Sequence, residues 1–150
     1  MTGTSDLALA IIHHLLAFGL AGILAAEIAV AGAGLTGAGL KRLQRLDRHY
    51  GALAGLLVIV GVLRVLYGGK GPDFYVSSHA FWAKMAAFAA VGLLSIAPTV
   101  RIIGWGKSAK ADAGFAVPAE EAAGLRKWFA AQLLLFACIP VFAAMMARGG

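Results

Sequence analysis

The sequence predicts an all-α membrane protein: a bundle of four spanning helices forming a single domain over residues 1–150. Three observations carry that expectation. Hydrophobic residues make up 61% of the chain against 13% charged, and mean hydropathy is +0.84, outside the range of an ordinary soluble domain. Four apolar runs each approach the ~20 residues that a helix needs to cross a hydrocarbon core of ~30 Å. No alternation of apolar and polar residues competes as a strand signal, and no internal repeat is visible.

The first run extends from about Leu7 to Ala31, follows the helix-start pair Ser5-Asp6, and carries His13, His14 and Glu27. The opening MTGTSDLALA has no basic n-region and no clear small-residue processing site, so this run is expected to be retained as a span. Leu40, Leu43 and Leu46 then fall along one helical face with basic residues between them. The segment Leu40 to Tyr50 reads either as a helix lying on the inner leaflet or as the cytoplasmic extension of the second span. That second span runs from about Gly51 to Gly69 and is interrupted by Arg64. The third, Phe81 to Val100, begins after Ser77-Ser78 and holds Lys84 in otherwise uncharged surroundings. Gly104 to Val117 is expected to be a mobile loop. Pro118, Glu120 and Glu121 signal a helix start before the fourth span, Trp128 to Ala147, which contains Pro140.

Basic residues set the orientation. Lys41, Arg42, Arg45, Arg48, Arg101, Lys107, Lys110, Arg126 and Lys127 fall between spans one and two or three and four, against Lys70 and Arg148 on the opposite side. Lys and Arg accumulate on the cytoplasmic side, so both termini are expected on the outer side of a bacterial inner membrane. The net charge of +6 lies in these short connecting segments, a topology pattern that argues against a nucleic-acid partner. With one cysteine, Cys138, an intrachain disulfide is excluded and a metal–thiolate cluster is not expected.

Three polar side chains fall at one depth. His13 lies ~9 Å inside the outer end of span one at ~1.5 Å per residue, and Arg64 and Lys84 lie four or five residues inside spans two and three. Charged groups at membrane depth are costly and mark sites, although the long stems of Arg64 and Lys84 also allow snorkelling to the interface. Glu27 projects from the same face as His13, along a stripe through Ala17, Leu20, Ala21 and Leu24. It reads as a structural partner for Arg45, Arg48 or Arg101, or as a proton relay. The stripe below Lys84 passes Ala87, Phe88, Val91, Gly92 and Ser95. His14 is ~100° around the helix from His13, so the two do not face one pocket squarely. His79 reads as an exposed or capping residue, and Cys138, Met145 and Met146 as packing rather than copper ligands.

The chain resembles a bacterial family of small four-span membrane proteins of unassigned activity. The likeness rests on His13 with Glu27, Leu46-Asp47 followed by Tyr50-Gly51, and Gly61-Val62-Leu63-Arg64. It continues through Gly69-Lys70-Gly71 with Phe74-Tyr75, Phe81-Trp82-Ala83-Lys84, Pro98-Thr99 with Arg101, and the ending Ala144-Met145-Met146-Ala147-Arg148-Gly149. More distantly, His13 early in span one and Lys84 early in span three are similar to the HemJ-type membrane protoporphyrinogen oxidases. That resemblance implies a b-type haem in the bundle, with His13 as metal ligand and Lys84 as second ligand or neighbour, and an oxidoreductase acting on tetrapyrroles. Where those oxidases close span one with basic residues, this chain has Glu27 and a Gly/Ala run. Arg64 and Lys70, toward the outer surface, are the expected partners of the haem propionates. No C-x-x-C-H motif exists, so a haem is held non-covalently. Two other classes stay open: a non-catalytic subunit within a homo-oligomer or larger membrane complex, and a small proton or metal transporter lined by His13, Glu27 and Lys84.

Overall fold

The computed structural model describes residues 3–32 and 35–148, apart from the side chain of Met146. The helices are α1 (Gly3–Gly32), α2 (Gly37–Tyr67), α3 (Gly71–Val76), α4 (His79–Ala111) and α5 (Ala119–Ala147). Four of them are long and apolar enough to cross a membrane, and no strand occurs among the described residues. The expected all-α membrane four-helix bundle is therefore the observed fold. α1 packs on α2 and α5, α4 packs on α5 and α2, and the diagonal pairs α1–α4 and α2–α5 do not meet among the described residues. Short connections between antiparallel neighbours give this square arrangement. Gly3, Ala147 and α3 lie at one end, the terminal end; Leu35–Thr36 and Asp112–Pro118 lie at the other, the loop end.

The helices run further than hydropathy indicates. α1 is already formed at Gly3, so Ser5-Asp6 lies inside its first turn, where the Asp6 carboxylate faces the positive end of the helix dipole. α2 is one continuous helix of 31 residues. Leu40 to Tyr50 is thus the extension of the second span and not a separate helix on the leaflet. The cause is burial: Leu40, Leu43 and Tyr50 face the core, with Leu43 at 0% exposure, and a helix lying flat on lipid could not place them there.

α4 departs most from expectation. The segment Gly104 to Ala111 is helical and not a mobile loop, leaving Asp112–Pro118 as the connection. It stays helical because Ile102, Trp105 and Gly106 pack into the loop-end core against α2 and α5. The Trp105 indole Nε1 donates to Glu121 Oε2 at 3.0 Å, and the amide of Gln44 occupies the space that a Cβ on Gly106 would take. Ser78 caps the other end of α4, its Oγ accepting from the Phe81 N–H at 3.3 Å. α5 begins at Ala119, directly after Pro118 and well before Trp128. The Val117 N–H donates to the Leu35 carbonyl at 3.1 Å, tying the two loops together. The core continues through Leu20, Leu24, Val91, Leu125 and Phe129, whereas Phe18 and Leu134 are each 73% exposed, as suits a surface whose solvent is lipid.

Candidate functional site

In its terminal half the bundle does not close. α1, α2, α4 and α5 leave an apolar cavity of about 870 Å³, roofed in part by α3. His13, Arg64, Lys70 and Lys84 all line it, so the four residues singled out for a cofactor meet in one space. Several lining residues, among them Phe18, Val58 and Val62, are also exposed, so the cavity opens through the bundle wall toward lipid.

His13 is held from behind by α2. A Cβ on Gly61 would lie 3.5 Å from His13 Cε1 and 3.9 Å from Nδ1, so the glycine lets the helix backbone come up against the imidazole. The Nδ1 atom is buried and has no hydrogen-bond partner. His14 also borders the cavity but is exposed, and its Nδ1 is engaged with the Ala10 carbonyl oxygen at 2.6 Å. The two rings are edge-on, with centroids 6.0 Å apart. Of the pair, His13 is the one whose ring nitrogen is left without a protein partner inside the bundle.

Lys84, on the second turn of α4, and Arg64, one turn from the end of α2, both lie within electrostatic reach of His13 and of each other. The Arg64 Nε is buried with no hydrogen-bond partner, and no carboxylate pairs with Arg64 or Lys84 among the described residues. Lys70 reaches the cavity mouth from the turn into α3. Gly71 has φ +73°, a left-handed conformation that glycine adopts without the Cβ penalty, and a Cβ on Gly68 would collide with the Arg64 carbonyl. Lys70 Nζ then sits 4.2 Å from the centre of the Phe74 ring.

Aromatic rings line this end of the cavity. Tyr75 and Phe81 are buried with centroids 5.7 Å apart, and the Trp82 Nε1 donates to the Val76 carbonyl at 3.0 Å, joining α4 to α3. Helix α3 was not anticipated as an element, nor was Gly61 as the seat of His13. The signal for the first was present in Pro72-Asp73, a helix-start pair directly ahead of Phe74-Tyr75.

Glu27 stands apart. It is 1% exposed, does not line the cavity, and takes no hydrogen bond at Oε1. Its expected pairing with Arg45, Arg48 or Arg101 is not formed: those three side chains are exposed, and the charged side chain within its reach is Asp47. Helix α1 turns Glu27 into the core with Leu20 and Leu24, away from the basic residues. His79 is exposed and outside the cavity lining. Cys138 is exposed with its Sγ toward the Leu134 carbonyl, and the Met146 side chain lies outside the described residues. No group of three or more His, Cys, Asp or Glu residues suited to a metal ion occurs among the described residues.

Residues 5–150 match the family described as "Predicted membrane protein (DUF2214)". The chain belongs to that family. DUF2214 membership covers both the cavity and the Glu27 region, so the two lie within one family unit. It sets the bundle in a lipid bilayer, in agreement with its four apolar helices. No curated protein and no solved structure matches the chain.

Proposed function

We propose that the cavity binds a large, flat, anionic amphiphile, and that this ligand is a b-type haem ligated by His13. The observation that carries the reading is the His13 Nδ1 atom, buried beside two cations and without a hydrogen-bond partner among the described residues. Buried polar atoms are nearly always satisfied, so an orphaned imidazole nitrogen in an apolar cavity points to a ligand. The volume of about 870 Å³ falls within the ~300–1,000 Å³ of cofactor sites. Arg64 and Lys70 would supply the positive charge that two propionates require, and Lys84 would serve as a second ligand to the iron or as a third cation. A haem supplies one-electron redox chemistry; the chain's part is to bind it, orient it through His13 and hold it away from water. An oxidoreductase acting on tetrapyrroles, as in the HemJ-type enzymes, is the activity in keeping with this site. The cavity's chemistry supports the ligand; the tetrapyrrole activity comes only from the likeness of His13 and Lys84 to those enzymes.

Nine of the protein's Lys and Arg residues lie toward the loop end, which supports a bacterial inner membrane with both termini outside. The test is optical. Protein purified from haem-replete cells should show a Soret band that shifts on reduction; His13→Ala should abolish or strongly shift it, and His79→Ala should leave it unchanged. A folded, colourless protein that takes up no added haem ends the proposal.

A further inference from the structure

The bundle holds a second set of polar groups, about 21 Å from His13 along α1 at ~1.5 Å per residue. Glu27 on α1 and Asp47 on α2 lie within electrostatic reach of each other, and Tyr50, one turn along from Asp47, lies within reach of both. Asp47 Oδ1 accepts from the Thr99 hydroxyl of α4 at 2.7 Å. None of these residues lines the cavity.

Glu27 is the anomaly. It is 1% exposed, enclosed by a core that includes Leu24, Leu43 and Phe129, and its Oε1 meets no donor. An ionised carboxylate in that position persists only with compensating positive charge, and without a metal ion beside it the group holds a proton. Among the described residues the chain does not provide that charge: the nine Lys and Arg side chains of this end, Arg45, Arg48 and Arg101 among them, are all exposed, and the charged side chain that acts on Glu27 is another carboxyl, Asp47. The groups gathered here are two carboxyls, a phenol and a hydroxyl, all hard oxygen donors, with no sulfur or imidazole in the set. Such donors select small hard cations over zinc or copper. Asp47 is half-buried beside the exposed Arg48 and His49, so the site adjoins the bundle surface on the α2 side.

We propose that Glu27 and Asp47 form a cation-binding site, independent of the cavity, that holds a small hard cation between α1 and α2 with Tyr50 and Thr99 alongside. Two sources share this chemistry: a proton, and a metal ion such as Na⁺, Mg²⁺ or Ca²⁺. The experiment separates them. Full-length protein in nanodiscs is melted in choline chloride and then with Na⁺, Mg²⁺ or Ca²⁺ added; a metal in the site raises Tm by roughly 2–4 °C or more. Infrared difference spectra of wild type against Glu27→Gln are recorded in parallel; a proton in the site gives a carboxylic-acid C=O band that the variant lacks. Asp47→Asn serves as the second variant and should weaken either signature.

A metal-dependent Tm that disappears in Glu27→Gln assigns the metal. An acid band lost in Glu27→Gln, with no metal dependence, assigns the proton. Wild-type protein showing neither signature, with both carboxyls ionised, overturns the proposal without reliance on a variant that folds. A colourless protein that passes this test would sink the haem reading and leave the cation site standing.

Discussion

Replacing Arg64 by Met tests the cavity most sharply, because ligand affinity and apo-protein stability should move in opposite directions. Met keeps an unbranched stem and removes the charge. In the ligand-free protein, Arg64 Nε is buried without a partner, and its neighbours in charge are Lys84 and His13. An unmet buried donor costs ~1–3 kcal/mol. Arg64 is half-buried, so the gain on removing it belongs at the lower end, ~1 kcal/mol, or ~2–4 °C in Tm for a chain of this size. In the haem complex the same guanidinium becomes the donor to a propionate. A hydrogen bond to a charged group is worth ~1.5–3 kcal/mol, so Arg64→Met should weaken haem binding by ~10- to ~150-fold. The assay is absorbance titration of the apo-protein with haem, with thermal unfolding of the same preparation. Lys127→Met, exposed at the loop end, is the control and should change neither quantity. An affinity within about twofold of wild type, or an apo-protein made less stable, refutes the assignment of Arg64 as a ligand-directed cation and leaves snorkelling as its role.

Two further outcomes follow from the geometry. Gly61→Ala should be tolerated, because its Cβ would sit at ordinary contact distance, 3.5 Å, from His13 Cε1; Gly61→Phe should block haem uptake with helicity by circular dichroism unchanged. Reporter fusions should place Gly114 in the cytoplasm and Arg148 outside, given the clustering of Lys and Arg at the loop end; cytoplasmic-reporter activity at Arg148 rejects that orientation.

The four spans were legible in the sequence because length and hydropathy are what a bilayer selects for. Their ends were not. Gly104, Gly106 and Ser108 look like breakers, yet α4 continues through them because Gly106 makes room for Gln44 and Trp105 finds Glu121. Depth comparison along the runs picked out His13, Arg64 and Lys84, and the propionate argument added Lys70; all four line one cavity. Depth is readable from spacing alone, since each helical residue advances the chain by a fixed rise. Partnership is not. In a chain whose exterior is as apolar as its core, hydrophobicity does not tell which face of α1 turns inward, so Glu27 was assigned to arginines that lie outside. Asp47, an acidic residue within a basic stretch, was not singled out as a site residue, yet it is half-buried, within reach of Glu27 and bonded to Thr99.

The incomplete wall beside Phe18, Val58 and Val62 has a consequence for how occupancy is measured. A pocket walled off from lipid equilibrates with whatever is dissolved in the buffer. One with an apolar doorway equilibrates with the bilayer, where an apolar ligand is concentrated by partitioning. Its filling is then governed by moles of ligand per mole of lipid, and diluting the buffer at a fixed membrane composition leaves the filling almost unchanged. Adding empty vesicles at constant ligand drains the pocket, and detergent micelles do the same. A titration on this protein therefore has its natural axis in mole fraction within the membrane.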